Sequence, residues 1–369
     1  MHIELCQLAR ESKYFQKEVG EAFERMSLNA DFVLREETRN FESNFAKYIG
    51  TDYACGTKSG TSALFLGLLA LWITSGDEVI TTPLTFIATS EAIAHTGARP
   101  VYCDVKLQDG NIDEEKIEAL ITSKTKAILW VHLYGNPCNN EKILEICKKH
   151  GLFYVEDASH AHGVQDNGKK LWSFGDIACF SFMPAKVLWA YGDAGIVVTS
   201  HAHIHERIEQ LRNHGRSSKH IHSFIGYNER IDNLQAGILD IKLKKLDEAI
   251  AKRREIAKRY VKDINFPVYC NASLLDSLNF FAYCIKCEKR DILAEKLQEK
   301  GISTGLYYPV ALHLQPAFSY LGYKKWDFPH AEYISQTSLA LPVHQLLEEE
   351  EIEYIIETLR EFSDFIPLS

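Results

Sequence analysis

The chain has 369 residues, which is long enough for one large domain and a smaller one. Its 41 basic and 50 acidic residues give a formal net charge of −9, which argues against nucleic-acid binding through bulk positive charge. No polybasic run indicates a membrane-surface patch, and the longest apolar run, residues 62–73, is too short to span a bilayer. The N-terminus has no long apolar region and the nine cysteines are irregularly spaced, so we expect a cytoplasmic protein with reduced thiols.

Short apolar runs alternate with segments of helical periodicity over the first 200 residues. In chain order the predicted strands are DEVITT, RPVYCDV, KAILWVHLYG, LFYVEDA, IACFSF and AGIVVTS. Between them lie predicted helices such as TFIATSEAIAHTG, DEEKIEALI and NNEKILEICKKHG. The strand segments lack polar alternation, which is typical of strands buried on both faces. The order predicts an α/β fold with a mostly parallel sheet and helices on both sides.

The second part of the sequence predicts a smaller α/β unit. Leu234, Ile238, Ile241 and Leu246 recur at helical spacing and predict one long helix that begins behind an Asp232 cap. After it come a strand (FFAYCIKC), a helix (DILAEKLQEKG), a strand (ISTGLYYP) and an amphipathic C-terminal helix (LEEEEIEYIIETLREF). We therefore predict a large domain over residues 1–249 and a small C-terminal α/β domain over residues 250–369.

Two short motifs suggest redox or metal chemistry, but ordinary structure explains them. Cys284 and Cys287 form a CxxC within a predicted strand, where residues three apart point to opposite faces. The HAHIH run at residues 201–205 places histidines two apart, and such residues do not share a helix face. We interpret that run as a solvated helix start capped by Ser200, and we predict no metal site.

Three groups of polar residues lie where ligands collect in open α/β sheets, at the carboxyl ends of strands. Asp157 follows the strand LFYVE, and Lys186 follows IACFSF after a short turn. The segment KSGTSAL brings small residues and hydroxyls to the start of an apolar helix. A helix N-terminus of this kind can bind a phosphate, although an ordinary Ser/Thr cap explains the same residues.

A carboxylate and an amine at neighbouring strand ends suit pyridoxal phosphate. The lysine amine can form a Schiff base with the aldehyde, while the carboxylate keeps the pyridine nitrogen protonated so that the ring accepts electrons. Phe86, in PLTFIAT, offers an aromatic face for that ring. The spacing alone leaves open the alternative that Asp157 and Lys186 form a buried ion pair.

Longer blocks of sequence support the cofactor hypothesis. SGTSAL, TPLTFIATSEAI, VHLYGNP, VEDASHAHG, SFMPAKVLWAYGDAG, NHGRSSKH, GYNERIDNLQAGIL and HLQPAF follow one another from about Phe41 onward. In these blocks, their order and their approximate spacing, the chain resembles the DegT/DnrJ/EryC1/StrS family of pyridoxal-phosphate-dependent nucleotide-sugar aminotransferases. The resemblance implies the aspartate-aminotransferase-like fold, known as fold type I.

The resemblance also implies roles for single residues. Lys186 matches the lysine that binds the cofactor covalently and moves protons, and Asp157 matches the partner of the pyridine nitrogen. The implied cofactor-binding residues are Gly60, Thr61, Phe86, Asp157, His160, Ser181, Lys186 and Asn228. The implied substrate residues are Met183, Lys219, Tyr307, Tyr308 and His313. Asn228 and Lys219 are expected to reach the active site of the neighbouring subunit, which implies a homodimer with shared sites.

Several residues depart from the usual family pattern. His160 stands where glutamine is common, and it can donate a hydrogen bond to the cofactor but can also titrate. Met183 replaces an aromatic residue, Tyr307 replaces the histidine of the common HYP, and Ala185 replaces the glycine before the lysine. The usual NLG is here VLW, residues 187–189. Because these changes cluster near the substrate side, they bear on the identity of the sugar more than on the reaction.

The function implied by the resemblance is amino transfer from L-glutamate to a nucleotide-linked keto-6-deoxyhexose in deoxyamino-sugar biosynthesis, such as that for O-antigens. The PAK…AYGDAG motif is most similar to that of the branch that acts on dTDP-3-keto-6-deoxyhexoses. A 4-keto-sugar aminotransferase and a pyridoxal-phosphate-binding protein without transferase activity remain as alternatives. Lys186 argues against the dehydratase branch, which has histidine at that position.

Overall fold

The computed structural model describes residues 1–166, 169–170, 175–270 and 272–365. The strands are β1 Tyr53–Thr57, β2 Glu78–Thr81, β3 Arg99–Tyr102, β4 Thr125–Val131, β5 Phe153–Asp157, β6 Gln165–Asp166, β7 Lys169–Lys170, β8 Ile177–Ser181, β9 Gly195–Thr199, β10 Arg216–Ser218, β11 Ile221–His222, β12 Tyr283–Lys286 and β13 Ser338–Leu341. The helices are α1 Leu8–Tyr14, α2 Gln16–Asn29, α3 Glu36–Ile49, α4 Gly60–Ala70, α5 Ile87–His95, α6 Glu114–Ile117, α7 Asn140–His150, α8 Ala202–Arg212, α9 Asn233–Leu243, α10 Leu246–Asp263, α11 Arg290–Glu299, α12 Pro329–Thr337 and α13 Glu349–Glu361.

The main sheet has seven strands in the order β1-β9-β8-β5-β4-β2-β3. The pairs from β3 through β2, β4 and β5 to β8 are parallel, whereas β8 pairs with β9 and β9 with β1 in antiparallel fashion. This confirms the predicted α/β fold with a mostly parallel sheet. The parallel register also brings the carboxyl ends of β5 and β8 together, since Asp157 pairs with Cys179.

The apolar run at residues 62–73 belongs mostly to α4, a helix packed inside the protein. Leu64, Leu66 and Leu68 are all buried, and they pack in one core cluster with residues of β8 and β9. A helix that is apolar on all sides is expected to be covered on all sides. Within the described ranges, no helix combines the length and the apolar character that crossing a membrane requires.

The prediction of one long helix from Asp232 was wrong. α9 ends at Leu243 and α10 begins at Leu246, with Lys245 in a non-helical conformation between them. The break lets α9 pack against α3 while the far end of α10 enters a second core. Asp232 does occupy the position before α9, but its side chain makes no capping hydrogen bond.

The second core lies between α10, α11, α13 and the β12–β13 pair, and it includes Ile3 from the N-terminus. The strand predicted for ISTGLYYP is absent from the described structure, where only isolated bridges occur at Ile302 and Gly305. The proposed domain boundary after residue 249 falls in the first turn of α10. The division at that residue stays a prediction.

The two motifs set aside in the sequence have ordinary positions. Cys284 packs in the core that includes the main sheet and Cys287 in the second core, so the two thiols do lie on opposite sides of the strand. The helix that contains HAHIH begins at Ala202, with His201 rather than Ser200 before it and no side-chain cap. Over the described residues, no cluster of three or more His, Cys, Asp or Glu side chains is arranged to hold a metal.

Candidate active site

A cavity of about 360 Å³ lies at the carboxyl edge of the sheet, where β5 and β8 end and α4 begins. Its volume is typical of small-molecule sites. Most of the residues predicted from the sequence line it, namely Gly60, Thr61, Phe86, Asp157, His160, Ser181, Met183, Lys186, Tyr307 and Tyr308. The topology therefore brings together residues that are up to 248 positions apart in the chain, from Gly60 to Tyr308.

Asp157 is buried at the end of β5 and is held by two donors. The Thr89 hydroxyl donates to Oδ2 at 2.8 Å, and the Ser159 backbone N–H donates to Oδ1 at 3.1 Å. Hydrogen bonds to both oxygens stabilise the charged carboxylate and fix its plane. A buried carboxylate of this kind requires a cationic partner in the cavity, and the protonated nitrogen of a pyridine ring would be one.

Lys186 is 7% exposed and follows β8 through a turn in which its N–H donates to the Met183 carbonyl at 3.1 Å. Burial lowers the pKa of its amine to about 8, although the negative charge of Asp157 opposes this shift. The side chain forms no ion pair within the described part of the chain. Its Nζ lies 4.6 Å from the centre of the Phe281 ring.

Ala185 has φ +88°, in the left-handed region that favours glycine. This explains in physical terms why a glycine suits the position before the lysine. Alanine is tolerated there at an expected cost of about 1–2 kcal/mol.

The start of α4 forms a cradle for an anion. Ser59 caps the helix by accepting from the Ser62 N–H at 3.1 Å, and its carbonyl accepts from the Ala63 N–H at 3.0 Å. The N–H groups of Gly60 and Thr61 therefore have no partner within the helix. A Cβ on Gly60 would come within 2.5 Å of the Ser181 side chain, so only glycine permits this close approach. The residues fit a phosphate group.

His160 is buried and its tautomer is fixed by its neighbours. The Tyr134 backbone N–H donates to Nδ1 at 3.3 Å, so the proton of the neutral ring is on Nε2, which faces the Tyr308 hydroxyl at 3.2 Å. Burial first, and then the positive charge of Lys186, hold the pKa of His160 well below its usual value. The low pKa argues against titration of His160 near neutral pH, while its ability to donate a hydrogen bond remains.

The outer part of the cavity is exposed and less constrained. Phe86, at the start of α5, is 54% exposed, and Met183 is 44% exposed. The Phe86 ring lies 5.9 Å from that of Tyr308, with a tilt of 42° between the planes. Tyr307 also lines the cavity, and its carbonyl accepts a hydrogen bond from the Tyr134 hydroxyl.

Three predicted site residues do not reach this cavity. Lys219 and Asn228 are exposed, and Lys219 lies in the turn between β10 and β11. His313 is fully buried beside Glu332, with 3.1 Å between Nε2 and Oε1. His313 is therefore not among the residues that line this cavity, and its role in the sugar pocket stays a prediction.

Sequence reasoning missed two residues that shape the site. Thr89 donates a hydrogen bond to Asp157. It lies one helical turn after Phe86 on the same helix face, so the sequence spacing could have indicated it. Phe281 reaches the cavity from a segment far along the chain, and no local pattern indicated it.

Comparisons with known proteins agree with this geometry. The sequence profile of the DegT/DnrJ/EryC1/StrS aminotransferase family matches residues 14–360. A protein of Geobacillus stearothermophilus named "Pleiotropic regulatory protein" is 37% identical over 367 residues, which cover 98% of this chain and 99% of that protein. The dTDP-3-amino-3,6-dideoxy-alpha-D-galactopyranose transaminase of Aneurinibacillus thermoaerophilus is 38% identical over 350 residues, covering 94% of this chain and 96% of that protein.

A solved structure, that of S. venezuelae DesV in complex with a ketimine intermediate, superposes with a TM-score of 0.94 at 34% identity. The superposition covers 99% of this chain and 100% of DesV. The chain therefore belongs to the DegT/DnrJ/EryC1/StrS aminotransferase family. It is a nucleotide-sugar aminotransferase, it has the fold of the pyridoxal-phosphate aminotransferases, and its cofactor is pyridoxal phosphate. The family, fold, enzyme class and cofactor expected from the sequence are confirmed.

Proposed function

We propose that the protein transfers the amino group of L-glutamate to a dTDP-linked 3-keto-6-deoxyhexose, with Lys186 and Asp157 as its catalytic residues. One observation carries the assignment of the site. The buried Lys186 amine, the hydrogen-bonded Asp157 carboxylate and the N-terminus of α4 line one cavity of cofactor size.

The residues of the cavity fit pyridoxal phosphate. The phosphate would be held by Gly60, Thr61 and Ser181, the ring nitrogen by Asp157, and one ring face by Phe86. When bound, the cofactor supplies a reactive aldehyde and a ring that accepts electrons. His160 Nε2–H would donate to an oxygen substituent of the ring, since its other nitrogen is already occupied.

Lys186 would both bind the cofactor and move a proton. A lysine acts as a nucleophile or a base only when it is neutral, and an ordinary lysine is almost fully charged at pH 8. Because burial lowers the pKa of Lys186 to about 8, about half of its amine groups are neutral at that pH. The Thr89 and Ser159 hydrogen bonds hold the Asp157 carboxylate in place, where it would stabilise a cation opposite it.

The proposed sugar rests on the rim residues and on one relative. Met183, Tyr307 and Tyr308 line the outer cavity and would face the hexose. The Aneurinibacillus thermoaerophilus relative, 38% identical, is named as a transaminase of a 3-amino-dideoxy sugar linked to dTDP. A 4-keto-sugar nucleotide is the alternative substrate.

We further propose a homodimer whose active sites are shared, and a cytoplasmic location. The exposed segment between residues 213 and 228 carries Lys219 and Asn228 outside the cavity of its own chain, where a partner subunit could use them. All nine cysteines are unpaired, which supports a reducing compartment.

Subunit complementation tests the shared site. Mixing Lys186→Ala protein with an Asn228→Ala protein should restore about a quarter of the activity or less, because about half of the dimers are hybrids and each hybrid contains one intact site of two. Subunit exchange is verified with tagged chains. A monomer with full activity at low concentration would contradict the proposal.

Cofactor binding without amino transfer is the alternative that an experiment must exclude, because the Geobacillus stearothermophilus relative is named as a regulatory protein. Addition of L-glutamate to the purified yellow protein separates the two functions. An aminotransferase should lose its visible absorption when glutamate donates its amino group. A spectrum unchanged by glutamate would support binding alone.

A further inference from the structure

Phe281 contacts the two side chains that are central to the proposed chemistry. Its ring stacks on that of His160, with 3.9 Å between centroids and 14° between planes. The same ring lies 4.6 Å from Nζ of Lys186, within the range of a cation–π contact. Phe281 lines the cofactor cavity, yet only 9% of its surface is exposed.

Asn279 attaches Phe281 to the backbone around His160. Its Oδ1 accepts from the Phe281 N–H at 3.0 Å, and its Nδ2 donates to the carbonyls of His160 and His162, both at 2.9 Å. A Cβ on Gly135 would come within 2.2 Å of Asn279 Oδ1, so this arrangement also requires the glycine. The position of the Phe281 backbone is thus coupled directly to that of His160.

Arg253 holds the residue before Phe281. Its Nη1 donates to the Phe280 carbonyl at 3.1 Å, and its Nε donates to Gln345 Oε1 at 3.0 Å. Phe280 has φ +48°, a conformation that residues with a side chain rarely adopt. Arg253 is buried, and in the described ranges no carboxylate lies within ion-pair distance of it. Its guanidinium is therefore available to fix this unusual turn.

We propose that Phe281 is a positioning residue for amino transfer: its ring orients the His160 imidazole and covers the Lys186 amine, while Asn279 and Arg253 hold the ring in place. The proposal rests on the function proposed for Lys186. The contacts with His160 and Lys186 alone place Phe281 in the site, since no sequence motif indicated it.

The ring acts on the Lys186 ammonium in two opposite ways. It excludes water, which lowers the pKa of the amine, and its π face attracts the cation, which raises it. The titratable groups that share the cofactor cavity with Lys186 are Asp157, His160, Asp193, Tyr307 and Tyr308. A second cavity of about 10 Å³ also borders Lys186, and its titratable residues are Cys6, Glu11, Arg253 and His344. His162 is close enough for Lys186 to lower its pKa.

Two substitutions separate these effects. Phe281→Leu keeps an apolar cover but removes the π face, so the pKa of Lys186 should fall by about one pH unit. Phe281→Ala admits water, so that pKa should rise towards the ordinary lysine value of about 10.4. Phe281→Tyr keeps a similar face and should leave it unchanged.

The measurement is the pH dependence of Lys186 acetylation in the full-length, cofactor-free protein, followed by peptide mass spectrometry. Exposed Lys17 serves as the internal reference. Phe266→Leu is the matched control, because Phe266 belongs to the second core and lines neither cavity. Thermal unfolding of each variant shows that it is folded.

The kinetic counterpart is kcat/KM, which should fall at least tenfold in Phe281→Leu and remain within about twofold of the wild-type value in Phe281→Tyr and Phe266→Leu. Equal Lys186 titrations in folded wild-type and Phe281→Leu protein would overturn the proposal. A shifted titration with unchanged kcat/KM would instead contradict the function proposed for Lys186, while leaving the contact in place.

Discussion

The inner and outer halves of the active site are built in different ways. The inner half consists of Asp157, Lys186 and His160, which are 5%, 7% and 2% exposed and are placed by strand ends and backbone hydrogen bonds. In the outer half, Phe86 and Met183 expose about half of their surface. The difference separates an inner half whose side chains are fixed by the fold from an outer half that, under the proposed function, selects the sugar through a few exposed side chains and a second subunit.

The largest expected effect is at the centre of the inner half. Under the proposed function, Lys186→Ala removes both the covalent attachment point and the proton carrier, so kcat should fall more than about 1,000-fold while the phosphate cradle still binds cofactor. Steady-state turnover after extensive dialysis measures this. Near wild-type turnover in the dialysed variant would contradict the assignment.

Asp157→Ala should come next, with a loss of about 100-fold or more, because the ring nitrogen loses its negative partner. Thr89→Val removes only one hydrogen bond to that carboxylate and should cost about tenfold. The measurement is kcat for both variants, which should be lower in Asp157→Ala than in Thr89→Val. Thermal unfolding checks that each variant is folded. Full activity in Asp157→Ala would leave Asp157 with a structural role only.

In the outer half, effects should be several-fold. Met183→Tyr adds a hydroxyl that can hydrogen-bond to the sugar, and one such bond is worth about 0.5–1.5 kcal/mol. The ratio of kcat/KM for 3-keto and 4-keto substrates should therefore change about three- to tenfold. Met183→Leu, the matched apolar control, should leave the ratio alone. Identical ratios in the wild type and Met183→Tyr would show that Met183 does not touch the sugar.

The smallest effect concerns His160 and pH. Burial keeps the pKa of His160 well below its usual value, so the ring stays neutral in the enzyme as pH falls through about 6.5. His160→Gln should therefore leave the acid side of the kcat profile unchanged. The unfolded chain does bind a proton there, so His160 weakens folding stability as pH falls, and the variant should resist acid slightly better. An acid limb near pH 6.5 that disappears in His160→Gln would contradict this.

Much of the fold was predictable because its signals are local. The strands that end at Asp157 and Ser181 are largely apolar, and so is helix α4. This is the sequence pattern of elements that are buried on all sides. The break between α9 and α10 was not predictable, because it falls at Lys244 and Lys245 and not at a glycine or proline, the residues that usually mark the end of a helix. The break is determined by tertiary packing, because α9 packs against α3 and the far end of α10 packs in the second core.

The residues of the site also divide into those that local sequence indicates and those that only tertiary contacts place. Asp157, Lys186 and the start of α4 were found because strand ends and a helix N-terminus are recognisable in sequence. Phe281 was missed because its contact with His160 is purely tertiary, 121 positions away along the chain. The burial of His313 beside Glu332 was not predictable either, since the resemblance gave only its position in sequence.

The most direct test of the whole account is a competition between matched substrates. Purified protein with L-glutamate receives dTDP-3-keto- and dTDP-4-keto-6-deoxyhexose, and mass spectrometry follows the gain of an amino group on each. We predict amination of the 3-keto sugar with the higher kcat/KM, and loss of that amination in Lys186→Ala. Preference for the 4-keto sugar, or no aminated product from either sugar, would contradict the proposed function.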